Sequence, residues 1–168
     1  MPRAVFVIAP SDFRDEEYFE PKEILEEGGI ETKTASFKKG EIIGVGGGRA
    51  IAEIEVSQIK SDEFDAIIFV GGPGMMQLTD NDDLISLAKD FYSKGKIVSA
   101  ICVAPEILAN AGILKGISAT AWQGSLQKLL EKGAQVVDKS VCWSGKIITA
   151  QGPHAAREFG ETLFKALA

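Results

Sequence analysis

Two short apolar runs fix the kind of sheet this chain can build. Ala66-Ile67-Ile68-Phe69-Val70 and Ile97-Val98-Ser99-Ala100-Ile101 each fill a strand's length with hardly a polar side chain. Runs of this kind belong to strands buried on both faces, which occur in parallel sheets covered by helices on either side. The first stops at Gly71-Gly72-Pro73-Gly74. The second continues through Cys102-Val103 into a helical stretch, Ala104 to Ala111, that carries Pro105 and closes on Gly112. A proline is tolerated in a first helical turn because its missing N–H would have had no helical partner there.

The remaining segments alternate in the same way. Ala4 to Ala9 reads as a first strand, Asp15 to Glu27 as a helix ended by Gly28-Gly29, and Ile30 to Ser36 as a second strand. Asn81 to Ser93 carries Leu84, Leu87, Ala88 and Phe91 on one helical stripe. A short strand near Ile117 to Ala121 precedes a helix from Ser125 to Glu131. Val136-Val137 and Lys146 to Ala150 flank Trp143-Ser144-Gly145 as an expected hairpin, and a last helix runs from about His154 to Leu167. Such alternation predicts one α/β domain over residues 1–168, a three-layer α/β/α sandwich with a mainly parallel sheet.

Composition narrows the function classes. A chain of 168 residues can bury a real core, and 45% hydrophobic with 25% charged residues is ordinary for a globular protein. A net charge of −6 speaks against nucleic acid and against anionic membrane surfaces. No apolar run reaches a membrane span, and Met1 to Val5 passes into a strand without a leader pattern, so the expected location is the cytoplasm. Two cysteines without a CxxC pattern fit a reducing compartment, and a single histidine excludes a His-rich metal site. No metal and no cofactor are expected.

Gly44-Val45-Gly46-Gly47-Gly48 lacks the Lys-Ser/Thr pair of a phosphate loop and does not follow a core strand. Lying between Ile42-Ile43 and the alternating Ala50 to Val56, it reads as the turn of a small β-excursion. Gly71 to Gly74 is different, because ligands in open α/β sheets bind outside the carboxyl ends of strands. Glycines there let backbone N–H groups approach an oxyanion, although a plain tight turn explains them equally. Cys102 is open in the same sense. A helix start favours thiolate over thiol, and a strand-to-helix turn lifts the sulfur out of the sheet as a nucleophile elbow does. Against this, free cysteine is also a common buried filler.

Ala66 to Gly74, Ser99 to Pro105 and Ala111 to Gly116, together with Glu17 to Pro21 and Gln151-Gly152-Pro153, resemble the ThiJ/PfpI family across nearly the whole chain. That resemblance implies a flavodoxin-like sandwich and a homodimer or larger homo-oligomer. It also implies that Glu17, four residues before Pro21, hydrogen-bonds the elbow Cys102, with Glu16 as competitor. The pairing requires a protonated glutamate beside a thiolate, since adjacent anions repel; on local sequence alone both glutamates are helix-start charges. The protease branch of the family places a histidine after its cysteine, whereas Val103 stands here and cannot carry a proton. Trp122, Pro153 and His154 are candidates to line the site, and Cys142 reads as a packed or surface residue.

Two function classes follow. In one, Cys102 attacks a small reactive carbonyl, an adduct of one, or a peptide; Glu17 handles the proton and the amides of Gly72 and Val103 hold the oxyanion. In the other, Cys102 is an oxidisable sensor in a protective or chaperone-like protein.

Overall fold

The computed structural model describes residues 1–168. In chain order the elements are β1 (Arg3–Val7), α1 (Asp15–Glu27), β2 (Glu31–Ser36), β3 (Gly40–Ile43), β4 (Arg49–Ala52), β5 (Ile54–Glu55), β6 (Ala66–Phe69), α2 (Asp82–Ser93) and β7 (Ile97–Ile101). They continue with α3 (Pro105–Asn110), β8 (Ser118–Ala119), α4 (Leu126–Glu131), β9 (Gln135–Val136), β10 (Val141–Ser144), β11 (Ile147–Ala150) and α5 (Ala156–Leu167).

Seven strands form the main sheet in the order β10-β11-β7-β6-β1-β2-β5, parallel except for the β10–β11 hairpin. Every residue of β6 and β7 is buried, as continuous apolar runs require. Successive side chains alternate between the two faces. Val5, Val7, Ile67, Phe69 and Val98 pack with Leu84 and Phe91 of α2 and with Ile107 and Leu108 of α3. Ala4, Phe6, Ile68, Ile97 and Ile148 pack with Leu25 of α1 and with Phe159 and Leu163 of α5. Helices thus cover both faces, giving the three-layer sandwich.

From β1 the chain moves outward through β2 to β5, then returns to place β6 on the other side of β1. The strand order reverses there, and the carboxyl ends of β1, β6 and β7 face a common crevice, the usual binding position in open α/β sheets.

Two readings need correction. The hairpin partner of β11 is Val141–Ser144, with Cys142 opposite Thr149, rather than Val136-Val137. Val136 instead pairs in parallel with Ala119 in a separate two-stranded ribbon. The last α-helix begins at Ala156, because Pro153 to Ala155 form a tighter single turn. The glycine run does join an antiparallel pair, Gly40–Ile43 with Arg49–Ala52.

Candidate active site

Cys102 follows β7 with a φ of +66°, a left-handed conformation that non-glycine residues seldom adopt. Holding it costs on the order of 1–3 kcal/mol and requires surroundings that over-determine the backbone. Those surroundings are explicit. The Cys102 N–H donates to the Ala150 carbonyl at 3.0 Å, and the Cys102 carbonyl accepts from the Trp122 N–H at 2.7 Å. The turn leaves the sulfur facing the backbone amides of Val103 and Gly72.

Glu17 arrives from the first turn of α1 and is fully buried, while Glu16 beside it is exposed. Its Oε1 accepts the Gly71 N–H at 3.1 Å; its Oε2 is buried without a hydrogen-bond partner. Gly71 is the point of closest approach. A Cβ placed there would lie 2.6 Å from the Cys102 Cβ and 2.6 Å from Glu17 Oε1, so thiol and carboxyl flank the same glycine. At Gly72, with φ +113°, a side chain would collide with the Arg14 amide nitrogen. The β6 loop is therefore glycine where it touches both functional side chains and the start of α1.

Burial pushes the Glu17 carboxyl up to about 7, against the opposing pull of the Cys102 thiol, the Arg14 guanidinium and the Gly71 amide. Burial, and then the Glu17 charge, push the Cys102 thiol up to about 12, opposed by the Val103 and Gly72 amides. This direction is opposite to the one that a helix start favours for a thiol. The helix that follows, α3, is only 6 residues long and its start contributes too little to outweigh a neighbouring carboxylate in a buried setting. The two groups titrate as a unit that gives up one proton near neutrality and retains the other. Cys142 is a buried residue of β10, and burial raises its thiol as well.

Above Cys102 lies a pocket of about 320 Å³ lined by Gly72, Val103, Met76, Trp122, Pro153 and Arg14. A neighbouring cavity of about 480 Å³ shares Trp122 and Pro153 with it and contains Asp138, Gln151 and His154. His154 is exposed, and its Nε2 pairs with Gln151 Oε1 at 3.3 Å. It therefore lies outside the Cys102 pocket, with Trp122 and Pro153 at the boundary. Arg14 is the residue that sequence reasoning missed. Its only local signal is that it takes the N-cap position before the acidic start of α1, although its side chain accepts no hydrogen bond from the helix amides.

A sequence profile described as the DJ-1/PfpI family matches residues 2–166. An uncharacterized protein of Methanocaldococcus jannaschii is 42% identical over 168 residues, covering 98% of this chain and 82% of that protein. Deglycase PfpI of Pyrococcus furiosus is 30% identical over 149 residues, covering 89% of this chain and 90% of the relative. Among solved structures, a ThiJ/PfpI domain protein from Brachyspira murdochii superposes with a TM-score of 0.96 at 35% identity, over 98% of this chain and 95% of that one. With a sheet of the same kind and a match along almost its full length, the chain belongs to the DJ-1/PfpI family.

Proposed function

We propose that this chain is a cysteine-dependent enzyme acting on small reactive carbonyls or their adducts, in the manner of a glyoxalase or deglycase, without a cofactor. The observation that carries the reading is the placement of Cys102, on a strained elbow, against the buried Glu17 carboxyl at the base of a small pocket. Relatives named deglycase in several Pyrococcus species support the same class.

The chemistry follows from the groups present. Above neutrality Glu17 is a carboxylate and Cys102 a thiol, so Glu17 takes the thiol proton as sulfur adds to an aldehyde carbon. The new C–S bond replaces the carbonyl π bond, and the alkoxide develops beside the Val103 and Gly72 amides before receiving that proton. For methylglyoxal, Glu17 then moves the hydrogen of C1 as a proton to C2. C1 is oxidised to a thioester and C2 reduced to an alcohol within one molecule. Water hydrolyses the thioester, releasing lactate and the thiol. No external oxidant, reductant or thiol is consumed.

Peptide hydrolysis is the weaker expectation, since an amine leaving group needs a strong proton donor, Val103 supplies none and His154 lines a different cavity. A redox reading keeps one specific support: the buried Glu17 carboxyl, which already pairs with the Cys102 thiol, would accept an O–H from an oxidised Cys102. The oxidized DJ-1 of Toxoplasma gondii is 26% identical to this chain. Cytoplasmic location and self-association into a homodimer or larger assembly are part of this proposal.

Incubation with methylglyoxal should yield lactate in thiol-free buffer containing a chelator, and Cys102→Ala should abolish it. Unchanged turnover in Cys102→Ala would reject the mechanism. Absence of turnover together with rapid sulfinate formation in dilute peroxide would transfer the case to the sensor reading.

A further inference from the structure

One charged side chain in the pocket has no part in the chemistry just described. Arg14 lines the Cys102 pocket, and the other lining residues, among them Gly72, Met76, Val103 and Trp122, carry no carboxylate. The Arg14 Nε is buried without a hydrogen-bond partner, and none of the ion pairs in the fold involves its guanidinium. The charge it feels is that of Glu17, yet Glu17 directs its bonded oxygen to the Gly71 amide instead. A buried charged donor left unpaired is unfavourable, and a ligand that supplies an acceptor to the guanidinium relieves that cost.

We propose that Arg14 binds an anionic group on the substrate, so that the preferred carbonyl compounds are 2-oxoaldehydes that also carry a carboxylate. This rests on the carbonyl reading above and names its substrate class. A guanidinium presents a planar fork that matches a carboxylate through two parallel N–H···O bonds. In a pocket walled by Met76, Trp122 and Pro153, that interaction is stronger than in water. Held there, the acid places its aldehyde carbon toward Cys102. Sulfur adds to that carbon, and the thiol proton passes through Glu17 to the former carbonyl oxygen, giving a hemithioacetal with no change in overall charge.

The test uses two alkylating reagents that differ in charge alone. The Cys102 sulfur displaces iodide from the CH2 carbon of both iodoacetate and iodoacetamide, so the ratio of their rates cancels the thiolate fraction and needs no turnover. Measured by mass spectrometry on the full chain at Cys102, the iodoacetate-to-iodoacetamide ratio should be at least about tenfold higher in the native protein than in Arg14→Gln. Arg14→Lys should fall between them. Arg14→Met, uncharged and of similar length, should behave as Arg14→Gln does and serves if glutamine disturbs the start of α1. An identical ratio in all four proteins would overturn the assignment. Because alkylation is independent of catalysis, that failure is distinct from a failure to turn over carbonyls.

Discussion

Glu17 is a fully buried carboxyl whose proton is held to about 7 rather than its ordinary 4.5. Folding therefore tightens proton binding, and the linked stability is present below 4.5 and lost as pH rises through about 7. The difference corresponds to on the order of 3 kcal/mol against the fold at alkaline pH. Glu17→Gln keeps an acceptor for the Gly71 N–H and removes the buried charge. Urea unfolding should show the variant more stable than the native protein at pH 8, by up to about 3 kcal/mol, and nearly equal at pH 5. A native protein more stable than Glu17→Gln at pH 8 would refute the assignment. Stability withheld at a functional group is a familiar trade. At this scale Cys102 was legible, because a buried apolar run followed by Pro105 leaves few alternatives to a strand-to-helix turn. Arg14 was not, since its approach to the pocket depends on the loops after β1 and β6 meeting at Gly72.

Element placement depends on α1. Its first residue, Asp15, accepts the N–H groups of Gly46 at 3.0 Å and Gly48 at 2.7 Å, clamping the turn of the β3–β4 hairpin onto the helix start. Two glycine amides converging on one carboxylate explain the glycine-rich run without any phosphate, and the helix dipole favours an anion at that end. Asp15→Ala should cost about 1–3 kcal/mol and should strip the Gly46 and Gly48 amides of hydrogen-exchange protection. Protection unchanged in the variant would show that the hairpin holds itself. The long elements were readable from periodicity: Asn81 caps α2 by accepting from Asp83 and Leu84 N–H groups, where the sequence begins its apolar stripe. The short ones were not. Val141-Cys142-Trp143-Ser144 has no cleaner strand pattern than Val136-Val137, and only pairing with β11 decides between them.

For the whole molecule, topology performs the assembly. Glu17 follows β1, Gly71 and Gly72 follow β6, and Cys102 follows β7, three neighbouring parallel strands whose carboxyl ends share the crevice where strand order reverses. The alternation of runs in the sequence made that architecture readable; local sequence leaves Glu16 and Glu17 equal, the family resemblance points to Glu17 through its spacing from Pro21, and packing buries Glu17 and exposes Glu16. If the buried pair is the working unit, activity must follow its shared proton. The pH dependence of kcat/KM for methylglyoxal should rise to a plateau with a midpoint near 7, because only the singly protonated pair can deliver sulfur to carbon. In Glu17→Gln that limb should vanish, with activity lowered by roughly 10²–10⁴-fold. A Glu17→Gln protein that keeps both the rate and the rise near 7 would contradict this account.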